Sequence, residues 1–458
     1  MNPQAELPQD AHRLRVSHGN DQPVGELAYS PSQDRWSFAY DADWRARGLF
    51  QLSPVFPWQA PEGGYDSKAI RRFIVNLFPE GAPLRAAIDQ LHVAPGNAFA
   101  LLRAMGGETT GALEFRPAGP QSAERRRSRP LPRAELEQRI LEAKEGGLAV
   151  WDGRLRMSIA GYQDKLAVVA SEDPGRHPDA QMWLAEPPQA STHILKPEPQ
   201  TDRTPHLVVN EHFCMSLAAG YTDAVAKVSI MRLPTPVLVV ERFDRRHANP
   251  RDEGGRVHKL HVIDACQACD MPVDAKYERS LGHAGELARY RDGMSLPRLF
   301  ATAKTMRRPA RAKLEMLRWV LFQAVIGNSD AHAKNFSFFV HGELLDPAPW
   351  YDLVSVERYA DLDRAYAMAI GDAFGWDELS AFNLAYFAHQ CGISTALLQR
   401  EAARLARAVS NAQAVLAAQA YTDEERRFLQ PLCEMVLMRS RALAERAKAA
   451  SVFTAAHF

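Results

Sequence analysis

The hydrophobic pattern of this chain changes period several times, and those changes mark its parts. Between residues 12 and 60, apolar side chains come in short β-prone pieces separated by turn residues: Leu14–Ser17, Pro23–Tyr29 and Trp36–Tyr40. From 66 to 105 the period becomes helical, with Ile70, Phe73, Ile74 and Leu77 on one stripe, then Leu84–Leu91 and Ala98–Met105. A Pro/Ser/Gln-bearing stretch from Pro117 to Arg133 interrupts the pattern, and a helix is predicted over 133–146. Residues 150–246 read as β-rich, with strands at Leu166–Ala170, Thr192–Lys196 and Pro236–Asp244, and one helical segment opening at Asn210-Glu211. From residue 255 onward helical periodicity dominates, notably at 314–326, 379–389, 395–419 and 422–448. The predicted class is α+β: a mixed α/β N-terminal region joined to an all-helical C-terminal lobe. The boundaries are 10–118 for a small α+β subdomain, 119–148 for a basic linker and helix, 149–250 for a β-rich lobe and 251–458 for the helical lobe.

The candidate chemistry sits where the helix 314–326 ends. There the chain reads Gly327-Asn328-Ser329-Asp330-Ala331-His332-Ala333-Lys334-Asn335-Phe336, with Asp352 downstream. Leu314, Leu317, Leu321, Ala324 and Val325 form one apolar stripe, so a buried helix delivers the chain into this loop, and Phe336–Val340 carries it out as a short strand. Phosphoryl transfer needs a carboxylate to orient the attacking hydroxyl, plus an amide and a second carboxylate to hold Mg²⁺ against ATP phosphates. An Asp, an Asn five positions on and a later Asp present those groups in kinase order. Chance and turn propensity also produce Asn-Ser-Asp runs, so the loop gains its meaning from what surrounds it. A lysine for the phosphates is available at Lys196, the end of a β-prone run, with Glu211 as a candidate ion-pair partner. The strand ending at Glu241-Arg242-Phe243-Asp244 stands where a kinase hinge belongs. No Walker-type or GxGxxG loop is present; Arg156–Lys165, with one glycine, one serine and a lysine before a strand, is the available phosphate nest.

Seven segments in order, Ser158–Lys165, Thr192–Lys196, Asn210–Met215, Val240–Arg246, Asp264–Gln267, Lys276–Glu278 and Gly327–Ser337, resemble the motifs of the HipA toxin kinases of bacterial toxin–antitoxin modules. The resemblance runs over residues 10–440. It implies a HipA-like kinase fold with ATP and Mg²⁺ as cofactors. In that reading Asp330 is the catalytic carboxylate, acting with Asn335, and Asn335 with Asp352 binds the metal. Lys196 contacts the phosphates, Glu241 and Phe243 offer hinge backbone to adenine, and His332 lies among the nucleotide-binding residues. Ser158 matches an autophosphorylated serine, and Ile159, Ala160, Gly161, Tyr162, Gln163, Asp164 and Lys165 match the loop that closes over the phosphates. Tyr162, Asp164 and the pair Val262-Ile263 depart from the family pattern, which touches details of ATP contact and not the reaction class. The resemblance further implies a serine/threonine-protein kinase that phosphorylates an aminoacyl-tRNA synthetase and arrests growth. It also implies a small helix-turn-helix, HipB-like antitoxin partner through which DNA is contacted only indirectly. Two other functions fit the same loop: a small-molecule kinase, and an inactive co-repressor that binds an antitoxin. A metal-dependent hydrolase built on Asp330, His332 and Asp352 would leave Lys196 without a role.

Composition narrows the setting. Over 458 residues, 55 basic and 55 acidic side chains cancel, which removes any bulk electrostatic case for nucleic-acid binding. The basic run Arg125-Arg126-Arg127 lies in the linker stretch without aromatic periodicity and reads as solvated. Five cysteines make an odd count for a disulfide framework, and Cys266-x-x-Cys269 lacks a βαβ context or a second pair at zinc spacing. No apolar run approaches the ~18–20 residues of a membrane span, and the polar start does not resemble a signal peptide. A cytoplasmic location without membrane contact is expected.

Overall fold

A computed structural model describes residues 11–19, 22–117, 129–142, 148, 150–151, 154–155, 163–185, 189–247 and 257–458. The chain forms two compact units: residues 1–200, 229–263 and 339–344 make the first, and 201–228, 264–338 and 345–458 make the second.

The first unit contains two antiparallel systems. Strands His12–His18, Gln22–Ser30 and Arg35–Tyr40 form where the β-prone pieces predict them, joined by Leu113–Pro117, which adds to the free side of His12–His18. Register pairs Leu14 with Leu27 and Leu27 with Phe38, so alternate side chains fall on one buried face. The helix Ser67–Val75 turns Ile70, Phe73 and Ile74 inward, with Asp66 accepting from the Lys68 and Ala69 N–H groups at its start. The fourth strand and a short helix at Ala42–Arg47 were not visible in the hydrophobic period.

The second system is a six-stranded sheet in the order Val228–Met231, Val237–Glu241, His193–Pro197, Leu166–Ala170, Met182–Leu184, Arg129–Pro130. Leu195, Val168, Leu184, Val237 and Val239 pack with Leu136 and Ile140 of the helix Arg133–Glu142. Lys196 therefore sits on an interior strand, opposite Leu238, and is 5% exposed. A solvent-facing edge lysine is excluded, which separates it from the usual fate of this residue type.

A buried charge cluster joins these two systems. Glu108 Oε1 accepts from Arg242 Nη1 (3.2 Å), Arg245 Nη2 (3.0 Å) and Ser191 Oγ (2.7 Å). Its other oxygen lies 3.2 Å from Lys259 Nζ, which also reaches Glu114 at 2.8 Å. Arg242 pairs with Asp244 at 2.7 Å, and Asp244 accepts from the Gly111 N–H at 2.8 Å. Three cations and three carboxylates thus bind the segment 108–114 to the chain after Val237–Glu241. Burial alone would raise both acids. The Lys259, Arg245 and Arg242 charges override it at Glu108 and hold that carboxyl well below its ordinary range, and Arg242 and Arg245 hold Asp244 at about 2.

The second unit is mainly helical. Its helices include Leu207–Ala219, Pro309–Ile326, Ala381–Gln390, Thr395–Ala408, Ala412–Ala418 and Asp423–Ala449, the last opened by a Thr422/Glu425 capping box. The C-terminal half is not helix alone, because strands Val257–Lys259, Val262–Asp264, Ser337–His341 and Leu344–Pro347 fall inside it. These strands have three to five residues, too short to stand out against the surrounding helical period. All five cysteines are free; burial pushes Cys266 up and Cys269 up to about 12, so neither is a thiolate near neutrality. Among the described residues no helix is long and apolar enough to cross a membrane.

Replacing Glu108 with Ala leaves three cations buried without their shared acid, and urea unfolding is expected to show a loss of about 3–5 kcal/mol. The depressed Glu108 and Asp244 values also set a pH dependence. Their contribution is complete above the ordinary carboxyl range and declines as pH falls from about 4.5 toward 2. Thermal unfolding followed from pH 7 down to 3 should show this decline in wild type and a shallower one in Glu108→Ala.

Candidate active site

The helix Pro309–Ile326 is buried on nearly all sides from Glu315 onward; Met316, Trp319, Val320 and Phe322 are covered as well as the stripe read from the sequence, while Leu314 is only half-buried. It ends at Gly327, whose φ is +66°, and the Gly327 and Asn328 N–H groups both donate to Gln323 O. A Cβ at Gly327 would lie 2.7 Å from Glu357 Oε2 and 2.9 Å from Arg439 Nη1, a paired carboxylate and guanidinium. Both the turn and the close approach require glycine there.

Asn328, buried at 2% exposure, organises the loop that follows. Its Nδ2 donates to Gln323 Oε1 (2.9 Å) and to Asp352 O (3.4 Å), while its Oδ1 accepts from the Asp330 N–H (3.1 Å). Asn335 Nδ2 donates to Asp330 O at 2.9 Å, which fixes the amide's orientation and directs Oδ1 away from that carbonyl. The Asp330 side chain is 48% exposed on an otherwise buried loop, and its Oδ1 accepts from Tyr277 Oη at 2.5 Å.

The segment carrying Asp352 is fixed at several points. Trp350 N–H donates to Ala224 O and Trp350 O accepts from Ala226 N–H. Tyr351 Oη donates to Lys334 O at 2.6 Å and accepts from Ser337 Oγ at 2.6 Å. Ser355 N–H donates to Asn210 Oδ1 at 2.9 Å, and Asn210 Nδ2 returns a bond to Ser355 O. Between these anchors Asp352 adopts φ +54°, a left-handed conformation unusual for a residue with a side chain.

His332 is buried within the loop, and among the described residues its Nδ1 has no hydrogen-bond partner. Burial lowers its pKa well below the ordinary value, and the ammonium groups of Lys276 and Lys334 lower it further against a smaller opposing effect of Asp352. The ring is therefore neutral, and its 3.9 Å approach to Asp330 is not an ion pair. Lys334 pairs instead with Asp264 at 2.8 Å. Asp264 also caps the helix Ala265–Ala268 in a capping box with Gln267.

Asp330, His332, Asn335 and Asp352 thus come together in the second unit. In the first, Gln163 Nε2 donates to Pro197 O (3.4 Å), next to Lys196, and Lys165 is buried. Glu241 lies opposite His193 in register, and Phe243 packs edge-on against Phe339 at 6.0 Å. Glu211, in the second unit, is buried at 4% exposure and not a surface residue of a first helical turn. Ser158, Ile159, Ala160, Gly161 and Tyr162 lie outside the described residues. Asn328, Tyr277 and the Asp264–Lys334 pair were not singled out from the sequence. For Asp264 the D-x-C-Q spacing, an acid three residues before a glutamine, was the available signal.

A family model described as the HipA-like C-terminal domain matches residues 157–416, and one described as the HipA N-terminal domain matches 16–116. The serine/threonine-protein kinase toxin HipA of Shewanella oneidensis is 39% identical over 396 residues, covering 86% of this chain and 87% of that protein. The chain belongs to the HipA family. It is a serine/threonine-protein kinase of HipA type. The protein Y4mE of Sinorhizobium fredii is 34% identical over 402 residues, 85% of this chain and 89% of that one. A solved complex of HipA, HipB and operator DNA from Shewanella oneidensis matches with a TM-score of 0.83 at 35% identity, over 96% of this chain and 100% of that one. The mixed α+β architecture agrees with this HipA structure.

In this HipA chain Gly327→Ala meets both the left-handed φ and the Glu357–Arg439 pair. Urea unfolding should show a loss of at least about 1–2 kcal/mol from the backbone alone, while an alanine at half-buried Gly375, whose Cβ position meets open space, should cost far less.

Proposed function

We propose that this protein transfers the γ-phosphoryl group of ATP, with Mg²⁺, to a serine hydroxyl of a protein substrate. The observation that carries the reading is Asp330: a half-exposed carboxylate on a buried loop whose backbone is held by Asn328 and Asn335. Preorganised placement of this kind supplies most of what phosphoryl transfer asks of a protein.

Asp330 would orient the attacking serine hydroxyl and accept its proton as the new O–P bond forms. The donor set suits a hard cation: one amide oxygen from Asn335 and a carboxylate from Asp352, leaving other positions to phosphate oxygens and water. When bound, Mg²⁺ neutralises charge on the phosphates. Lys196, buried on an interior strand, would pair with the phosphates, and backbone at Glu241 and Phe243 would meet the adenine. Gln163, Asp164 and Lys165 are the end of the phosphate-covering loop that begins at Ser158. His332, being neutral and buried, supports the loop rather than adding a charge.

The target in this reading is an aminoacyl-tRNA synthetase, whose phosphorylation stops charging and arrests growth. Ser158 is also modified by the enzyme itself. Phosphate there adds about −1.5 to −2 charges beside a site built for anions, which opposes loop closure and gives an inactive form. A small helix-turn-helix, HipB-like antitoxin restrains the kinase and supplies the DNA contact, consistent with the neutral charge balance and with the HipA–HipB–DNA assembly of the Shewanella relative. The reaction takes place in the cytoplasm.

Asp330→Asn should abolish phosphoryl transfer while calorimetry still detects ATP binding, because its contact with the hydroxyl matures in the transition state. Asp352→Asn should weaken Mg²⁺–ATP binding itself. Retention of a tenth of wild-type turnover in Asp330→Asn would overturn the assignment. Expression in a bacterial host should arrest growth in wild type and not in Asp330→Asn, with phosphoproteomics showing a new phosphoserine on a synthetase. Harmless expression with label appearing only on a metabolite would replace this reading by a small-molecule kinase. ATP affinity that is unchanged by stoichiometric Ser158 phosphorylation would remove the inhibitory role of that serine.

A further inference from the structure

A small cavity lies where the helix Pro309–Ile326, the loop at 328–331 and the segment 366–370 meet. Water centres have about 20 Å³ of room in it, more than the roughly 10–15 Å³ that one water needs. Every residue lining it is buried and none is charged. Its walls are held by backbone bonds. Tyr366 N–H donates to Phe374 O (2.6 Å), Ala367 N–H to Ser329 O of the loop (3.1 Å), and Glu278 N–H to Ala367 O (2.8 Å). On the helix, the Trp319 ring is set edge-on to Phe336 at 5.3 Å.

Three of the lining residues break the apolar character of this wall. Trp319 Nε1, Gln323 Nε2 and Tyr366 Oη are each buried, and none has a hydrogen-bond partner among the described residues. Trp319 and Gln323 stand one turn apart on the same helix, so they are neighbours on its surface. The orientation of the Gln323 amide is fixed from its other end. Asn328 Oδ1 accepts from the Asp330 N–H, so the Asn328 nitrogen meets Gln323 and requires an oxygen there. The Gln323 nitrogen is thereby directed away from Asn328, with two hydrogens to place. Burial keeps the Tyr366 phenol protonated, able to donate and to accept. Buried polar atoms of this kind are costly unless something bonds them. Water has two lone pairs for the Trp319 and Gln323 N–H groups and an O–H for the Tyr366 oxygen. An anion would have to leave solvent for a lining that holds no cation. An apolar guest would leave all three groups unpaired. We propose that this cavity is a binding site for ordered water, which accepts from Trp319 Nε1 and Gln323 Nε2 and joins the Tyr366 hydroxyl. The water is then part of the loop's support, because Gln323 Oε1 holds Asn328 and Asn328 holds the backbone of Asp330 and Asp352. The inference does not depend on the roles proposed above for Asp330 and Asp352.

A high-resolution crystal structure of the full chain, from crystals soaked in bromide, tests the occupant directly. The expected result is water density within about 2.7–3.2 Å of Gln323 Nε2 and of Trp319 Nε1 or Tyr366 Oη, with no anomalous bromide signal there. A cavity without density, a bromide peak in it, or the three polar atoms turned onto protein partners would each overturn the proposal. Tyr366→Phe then keeps the ring and removes one partner of the water. Its crystals should show the water peak weakened. Hydrogen exchange read by mass spectrometry should show the Asp330 amide, which donates to Asn328, exchanging about two- to tenfold faster, the worth of one neutral hydrogen bond. Amides of the helix Thr395–Ala408 should keep their wild-type rates. A wild-type rate at Asp330, or an equal acceleration in both places, would overturn the support of the loop by water. None of these readouts uses ATP, so activity in Asp330→Asn would strike the proposed function and leave this inference standing.

Discussion

The chemistry of the second unit hangs on one buried amide. Asn328 has two donor hydrogens and an acceptor oxygen, and each is used on a different piece of chain: the end of the helix at Gln323, the backbone of Asp330 and the backbone of Asp352. A side chain with only donors or only acceptors could not make this set. Because the amide is covered, a lost partner would leave a polar atom without water to replace it. The helix terminus, the candidate catalytic carboxylate and the candidate metal-binding segment are therefore held to one another by a constraint that is costly to relax. The left-handed backbone at Asp352 is sustained in the same way, by the anchors at Trp350, Tyr351 and Ser355 on either side.

Several side chains that look reactive in the sequence are architectural. Arg242, Asp244 and Arg245 flank the hinge candidates, yet their charges are consumed in the cluster around Glu108. Asn210 serves the backbone at Ser355. Asp264 caps a helix and neutralises Lys334. The result is an uneven distribution of exposure. Charges that hold the fold are buried in pairs, whereas Asp330 keeps half its surface open. A group meant to meet a substrate has to remain accessible while its backbone does not move, and this loop separates those two demands.

The same loop shows how burial tunes its members. His332 is kept neutral by desolvation and by two neighbouring ammonium groups. Tyr351 is raised by burial and stays a phenol, able to donate to the Lys334 carbonyl. Around an exposed carboxylate the structure thus places groups with fixed protonation, so the local hydrogen bonds keep one direction near neutral pH.

Much of this was legible in the chain. Alternation locates the N-terminal strands, helical periodicity locates the helix entering the loop, and the spacing of Asp330, Asn335 and Asp352, taken with its flanking segments, points to a phosphotransferase. Seven ordered motifs identified the HipA family, because local residue choices at a phosphoryl-transfer loop are narrowly constrained. What stayed hidden depends on partners distant in the chain. The strand Leu113–Pro117 has meaning only against His12–His18, and Tyr277 is an ordinary tyrosine until folding brings its hydroxyl to Asp330. The sequence offers Lys196 as a lysine for the phosphates, but its burial on an interior strand exists only once the sheet has formed. Glu108, in a stretch with no period, becomes the centre of a buried cluster only because Lys259, Arg242 and Arg245 converge on it. Periodicity and motif spacing record which groups a segment offers; desolvation and long-range hydrogen bonding, which exist only in the folded chain, decide which of those groups remain free to act.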